Sequence, residues 1–230
     1  MPDVNTSTPQ TLSDLLKRAR AIAGLTLGEL ASGLGEQPPA TLRRDKGWVG
    51  RMLEQALGAD ASTAQAPDFA ALGIELKTLP LTPEGRPLES TFVTCVELAD
   101  PDAISWETSH ARQKLARVLF IPILTHRRTP PGERLIGQPL LWTPSPDEEA
   151  RLRNDWERHM RTIRQGYAHA ITAEDGDVLQ IRPKGARASS RVWGQGPSGE
   201  LELIQPRAYY LRPSFTAEII ARSFALSTAS

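Results

Sequence analysis

At 230 residues the chain is long enough for one domain, or one domain built as two lobes, and needs neither disulfides nor metals in place of an apolar core. With 40% hydrophobic and 23% charged residues, and no apolar run near the roughly 18 residues of a membrane helix, it excludes a membrane span. The single cysteine, Cys95, excludes an intramolecular disulfide framework and a Cys-rich zinc module. Residues 1–6 show no basic-then-apolar leader pattern, so a cytosolic protein is expected.

Lys plus Arg equals Asp plus Glu at 27 each, so the net charge is zero and the whole-domain basic footprint of a nucleic-acid binder is missing. The distribution is less even. Arg182, Lys184, Arg187, Arg191, Arg207 and Arg212 fall in a late segment whose only acids are Glu200 and Glu202, which leaves room for a local basic face.

Residues 11–23 carry Leu12, Leu15, Leu16, Ala19 and Ile22 at helical spacing, with Thr11 to cap the start and Gly24 to stop the helix. Thr26 and Glu29 have the spacing of a capping box, opening a short helix that ends near Gly33 to Gly35. A third helix is predicted from Trp48 to Leu57, closed by Gly58. After a loop at 59–67, residues 72–79 and 91–98 read as strands, with 82–87 supplying turn chemistry for a hairpin-like connection. Residues 106–119 return to helical spacing ahead of a short apolar run at 120–124. Residues 125–137 read as loop, and the proline and acids at 144–149 precede a helix running to about Gly166. A strand at 178–182, an aperiodic Gly-, Ser- and Arg-rich stretch at 183–199, a short apolar stretch at 208–211 and a final helix from about Ser214 complete the chain. Helices and strands are mixed, which gives an α/β or α+β class.

The stretch 67–77 is the most informative chemically. On a strand Leu72, Ile74 and Leu76 face one way, and Gly73, Glu75 and Lys77 the other. At a rise of about 3.3 Å per residue, Glu75 and Lys77 stand about 6.6 Å apart on one face, within joint reach of one bound group. Gly73 beside them leaves room for a ligand backbone. Asp68 and Glu75 offer two carboxylates of the kind Mg²⁺ binds together with waters and substrate phosphate. Such a metal lowers the pKa of a bound water and offsets charge on phosphate, and the Lys77 ammonium can orient that water or stabilise the same charge. Acid-x-Lys on a strand face is also common as a solvated edge, so the bare motif is weak and its apolar surroundings strengthen it. His110, His126, His159 and His169 lack metal-ligand spacing, and no Ser or Cys has a nucleophile-elbow context. A zinc enzyme and a covalent hydrolase are therefore not expected. Cys95 reads as a small buried apolar residue and Trp156 as core.

The chain resembles the MutH family, the strand-nicking endonucleases of DNA mismatch repair, whose catalytic pattern is of the Asp…Glu-x-Lys class. The blocks that carry the resemblance are Thr26-Leu27-Gly28-Glu29-Leu30-Ala31, Arg44-Asp45-Lys46-Gly47-Trp48-Val49-Gly50, Asp68-Phe69-Ala70-Ala71-Leu72-Gly73-Ile74-Glu75-Leu76-Lys77-Thr78, Gly85-Arg86-Pro87-Leu88-Glu89, Trp106-Glu107-Thr108-Ser109-His110, Leu179-Gln180-Ile181-Arg182-Pro183-Lys184 and Tyr210-Leu211. They run in family order over nearly the whole chain and skip 185–199 and the tail from Ala225.

The resemblance implies a restriction-endonuclease-like mixed α/β fold, one endonuclease domain of two lobes around a DNA cleft, with no lobe boundary legible. It implies Mg²⁺-dependent nicking of the unmethylated strand at hemimethylated GATC sites, 5′ to the G, in a bacterial cytoplasm. The implied partners are double-stranded DNA, the ATPase MutL as activator and MutS indirectly, with the protein itself a monomer. By family pattern Asp68, Glu75 and Lys77 are catalytic, Glu54 is a further acid able to help bind a second metal ion, and Lys114 is a further active-site lysine. Arg182, Pro183 and Lys184 match sequence-reading positions, suited to major-groove guanine acceptors. Tyr210, with Pro183, matches the wall that senses the adenine N6 position, Phe92 another DNA-recognition position, and Lys46 a phosphate contact. Without the resemblance, Glu54 and Lys114 read as exposed helix residues, Tyr210 and Phe92 as core aromatics and Lys46 as a solvated charge. Zero net charge leads to an expectation of weak intrinsic DNA binding that a partner must supplement. The alternatives are a stand-alone GATC restriction-type enzyme, against which the single domain copy argues, and a catalytically silent DNA-binding module, against which intact Asp68, Glu75 and Lys77 argue.

Overall fold

The computed structural model describes residues 6–42, 45, 47–60, 63, 65–126, 128–185 and 189–228. In chain order the elements are α1 (Leu12–Ala21), α2 (Leu27–Gly33), α3 (Trp48–Leu57), β1 (Glu75–Leu81), β2 (Thr91–Cys95), α4 (His110–Leu115), β3 (Val118–Leu124), β4 (Leu135–Ile136), β5 (Leu140–Trp142), α5 (Pro146–Arg164), β6 (Leu179–Pro183), β7 (Val192–Gln195), β8 (Leu201–Ile204), β9 (Arg207–Leu211) and α6 (Pro213–Thr228). The chain divides into two compact units, the first of residues 1–89, 116–143 and 217–230, the second of 90–115 and 144–216. The fold is mixed α/β, with mixed sheet and flanking helices, as expected. Among the described residues no helix is long and apolar enough to cross a membrane.

In the first unit the helix ends follow the sequence signals. The Thr11 side chain accepts from the Asp14 amide, and Thr26 and Glu29 form a reciprocal capping box. Gly58 ends α3 in the left-handed region at φ 75°, where a side chain would be strained. Strand β1 lies parallel to β3, with Glu75 opposite Val118 and Leu81 opposite Leu124, while β4 and β5 run antiparallel to β3. Strand β3 is buried on both faces over Val118–Ile121, while β1 keeps Lys77, Thr78 and Pro80 only partly buried. Leu15, Leu27, Leu30, Met52, Leu53 and Leu57 from the helices pack with Leu76, Leu119 and Ile121 in one core.

The second unit is built on an antiparallel sheet in the order β2-β9-β6, with a separate β7–β8 pair. Helix α5 opens with a capping box between Ser145 and Glu148, Pro146 in its first turn and three acids, Asp147, Glu148 and Glu149, at its positive end. Trp156 is core, as its sequence context predicts.

Several sequence expectations are corrected. The strand predicted at 72–79 begins only at Glu75, because Ala70–Leu72 forms a 3-10 turn and Gly73 takes φ 63°. Gly73 thus takes a left-handed backbone conformation, and the space where a Cβ would stand is open. Residues 82–87 do turn, with the Thr82 amide donating to the Arg86 carbonyl, but β1 pairs with β3 and β2 with β9, so no hairpin joins them. The helix predicted at 106–119 is confined to α4, and β-branched and aromatic residues from Val118 onward enter β3 instead. Short β4 and β5, and the β7–β8 pair inside and beyond the aperiodic stretch, were not signalled. Cys95 is exposed, not buried.

His159 of α5 is 2% exposed, and neither ring nitrogen has a hydrogen-bond partner among the described residues. Burial lowers its pKa from 6.5 by disfavouring the imidazolium. In the window below 6.5 the unfolded chain binds a proton that the native state refuses, so this residue's share of stability is intact above about pH 6.5 and declines as pH falls. His159→Phe is expected to flatten the stability profile between about pH 7 and 5 in urea unfolding; an unchanged slope would contradict this.

Candidate functional site

Asp68 and Glu75 are brought together by a tight loop. Phe69 and Ile74 pair through two backbone hydrogen bonds of 2.9 and 3.3 Å, closing the 3-10 turn and Gly73 between them. Both residues are buried, which anchors the pinch in the core. Asp68 Oδ2 accepts the Leu76 amide at 2.8 Å, so its carboxylate lies at the peptide that follows Glu75. The Glu75 amide itself donates to the Arg117 carbonyl at 3.0 Å, fixing the strand start.

Glu75 is 2% exposed, and its Oε1 accepts from the Lys77 ammonium at 2.6 Å. Glu75 and Lys77 therefore share a face of β1, as alternation predicts. A carboxylate this deeply buried requires charge and hydrogen-bond partners, and Lys77 is one. Glu54 lies half-buried on α3, one turn beyond Gly50; a Cβ at Gly50 would stand 3.6 Å from the Glu54 carboxylate. Lys114 lies on α4 of the second unit and is 5% exposed, contrary to the exposed helix residue that sequence context alone suggests.

Among the described residues no three His, Cys, Asp or Glu side chains gather as a set able to hold a metal ion. Glu54 is thus not assembled with Asp68 and Glu75 into a three-carboxylate cage. Two adjacent hard carboxylates nonetheless fit Mg²⁺, which takes one or two such ligands and completes its shell with waters and phosphate oxygens.

A second cluster lies wholly in the second unit. Phe92 on β2 and Tyr210 on β9 are opposite in register, their rings edge to face at 5.6 Å. The Arg182 guanidinium lies 5.9 Å from the Tyr210 ring centroid and donates to Ser90 Oγ at 2.8 Å. The Lys184 ammonium sits 3.8 Å from the Phe92 ring centroid. Two cations and two aromatic faces thus share one side of the β2-β9-β6 sheet. Partial burial raises the Tyr210 pKa, which keeps its phenol neutral and able to donate. Pro183 pairs in register with Arg207, three rungs from Tyr210, and is exposed at the end of β6. Lys46 lies outside the described residues.

Two residues of this unit escaped the sequence reading. Asp155 on α5, 1% exposed, accepts the amides of Asp177, Val178 and Leu179 on Oδ2 at 2.8, 2.7 and 2.9 Å. It fixes the start of β6, whose far end carries Arg182 and leads into Lys184. Gln180 on β6 stands directly opposite Tyr210. Its spacing from Arg182 was visible, but its cross-strand partner was not.

The family described as "DNA mismatch repair enzyme MutH" matches residues 57–155. A DNA mismatch repair protein MutH of Pasteurella multocida is 50% identical over 221 residues, covering 96% of this chain and 99% of the relative. Those of Klebsiella pneumoniae and Escherichia coli K12 are 49% and 48% identical, over 96% and 95% of this chain and 95% of each relative.

Proposed function

The chain belongs to the MutH family of DNA mismatch repair endonucleases, enzymes that act on DNA phosphodiester bonds, and from that premise we propose that it nicks the unmethylated strand of hemimethylated GATC sites with Mg²⁺ held by Asp68 and Glu75. The observation that carries the reading is the Asp68, Glu75 and Lys77 cluster at the start of β1: two carboxylates and an ammonium fixed by backbone hydrogen bonds and a 2.6 Å ion pair. When bound, the metal ion would supply a water of lowered pKa and offset charge on the phosphate.

The chain's own groups do the rest. Asp68, tethered to the Leu76 amide, keeps its carboxylate oriented without searching rotamers. Glu75 holds the Lys77 ammonium in place, and that ammonium orients the attacking water or meets charge developing on the phosphoryl oxygens. Family match supports Glu54 as an accessory acid that helps bind a second ion, and Lys114 as an accessory lysine. In the second unit Arg182 and Lys184 donate to guanine acceptors in the major groove, Tyr210 with Pro183 crowds the adenine N6 position, Phe92 adds a recognition contact and Lys46 a phosphate contact. Zero net charge supplies little sequence-independent attraction, so MutL, acting after MutS, loads the enzyme in the bacterial cytoplasm.

The test is cleavage of a duplex with one GATC site in unmethylated, hemimethylated and fully methylated forms, each strand labelled, with and without MutL. Nicks confined to unmethylated strands, 5′ to the G and stimulated by MutL, are expected. Double-strand breaks without MutL would reassign the protein to the restriction class, and binding without cutting would make it a silent module. Salt-insensitive nanomolar affinity for random duplex would contradict the loading step.

A further inference from the structure

Gln180, Arg182 and Lys184 occupy alternate positions along β6 and its immediate continuation. Register and ring contacts put all three on one side of the sheet: Gln180 opposite Tyr210, Arg182 against the Tyr210 ring, Lys184 against the Phe92 ring. The Lys184 amide still donates to the Pro206 carbonyl at 2.7 Å, so the strand geometry persists that far. At about 3.3 Å per residue the three side chains span about 13 Å, close to four stacked base steps of about 3.4 Å.

Gln180 is the neutral polar member of this row. The residue is 5% exposed, and its carboxamide is not among the polar atoms sealed from solvent without a partner, which among the described residues are the ring nitrogens of His159. A carboxamide carries two donors and an acceptor with two lone pairs. It stands on a face whose other two polar members are the cations assigned above to guanine. The group that a glutamine matches in two bonds is the major-groove edge of adenine, its Oε1 accepting from N6–H and its Nε2 donating to N7.

We propose that Gln180 is a further specificity-determining residue, reading the target adenine on the same rung as Tyr210. The inference rests on the GATC reading and deepens it. In the free protein the two cations of the face lie against the two aromatic rings. Their transfer to guanine acceptors uncovers the rung at which Gln180 and Tyr210 face each other. One adenine then meets both residues: Tyr210 limits the space at N6, and Gln180 accepts the N6 hydrogen that points to it. An N6-methyl group is opposed at both, which divides strand discrimination between steric exclusion and a lost hydrogen bond.

The experiment is a coupling cycle between residue and base, using the full-length protein and single-turnover cleavage. Substrates carry adenine or 7-deaza-adenine, which lacks the N7 acceptor, at the GATC adenine of the cut strand. Enzymes are the wild type, Gln180→Leu and, as a near-isosteric apolar control for folding, Gln180→Met. Wild type is expected to lose about tenfold or more on 7-deaza-adenine. Both variants are expected to be slower by a similar factor on natural GATC, and indifferent to the base change. A destabilised but otherwise intact enzyme would instead keep the full 7-deaza penalty. A penalty of equal size in wild type and both variants would overturn the role of Gln180 while leaving GATC recognition standing. A wild type that cuts GATC no better than random duplex would overturn that reading as well.

Discussion

Replacing Glu75 with glutamine is expected to lower the cleavage rate by at least about a thousandfold while DNA binding persists. The substitution keeps size and leaves β1 paired with β3, but it removes the negative charge from the strand start. Two consequences follow from the geometry. The charge that fixes the Lys77 ammonium at 2.6 Å is gone, and so is one of the two adjacent carboxylates that fit a divalent ion. The neutral amide fills the same buried space, so the loss is expected in the cleavage step with little change in binding of GATC duplex. Single-turnover rates and duplex affinity, measured together, check it. Weakened binding with an unchanged cleavage rate would mean that Glu75 serves the structure rather than the reaction.

Asp155→Ala is expected to destabilise the second unit by about 3–5 kcal/mol, because three backbone amides converge on one buried carboxylate oxygen and would lose it together. The damage should also reach function. With Asp177, Val178 and Leu179 released, the strand that carries Gln180 and Arg182 loses its anchor on α5, and discrimination between GATC and single-base variants should fall. Asp155→Asn, which keeps an acceptor oxygen without the charge, should fall between wild type and Asp155→Ala. Urea unfolding gives the first readout and relative cleavage of GATC and altered sites the second. Lost stability with unaltered discrimination would confine Asp155 to a structural role.

Both predictions mark the divide between what local sequence conveys and what it does not. Capping boxes at Thr26 and Ser145 and the stop at Gly58 are local devices, made by residues a turn apart, and the helices they bound were readable. Strand partners are not local. Turn residues at 82–87 suggested that β1 folds back on β2, but a parallel partner for β1 arrives only with Val118, after the chain has passed through the second unit. Residues 106–119 mixed a helical spacing with a strand start at Val118, and periodicity alone could not divide them. On the β7–β8 pair Trp193, Leu201 and Leu203 are exposed, so no alternation of burial marks either strand.

The site shows the same division. Asp68, Glu75 and Lys77 lie within ten positions, so spacing and family pattern pointed to them, and the Asp68–Leu76 and Glu75–Lys77 bonds supply the geometry. Gln180 and Asp155 gain their significance from Tyr210 across the strand and from amides that α5 meets only in the folded chain. Neither relation has a signature in one linear sequence.

If the carboxylates at the start of β1 hold the ion that cuts DNA, cleavage depends on that ion. The most direct measurement is the single-turnover nicking rate on a hemimethylated GATC duplex as Mg²⁺ is raised from zero in a chelated buffer. No nicking is expected without the ion, and a saturable rise confined to the unmethylated strand is expected with it. Nicking at full rate in the presence of chelator would contradict it.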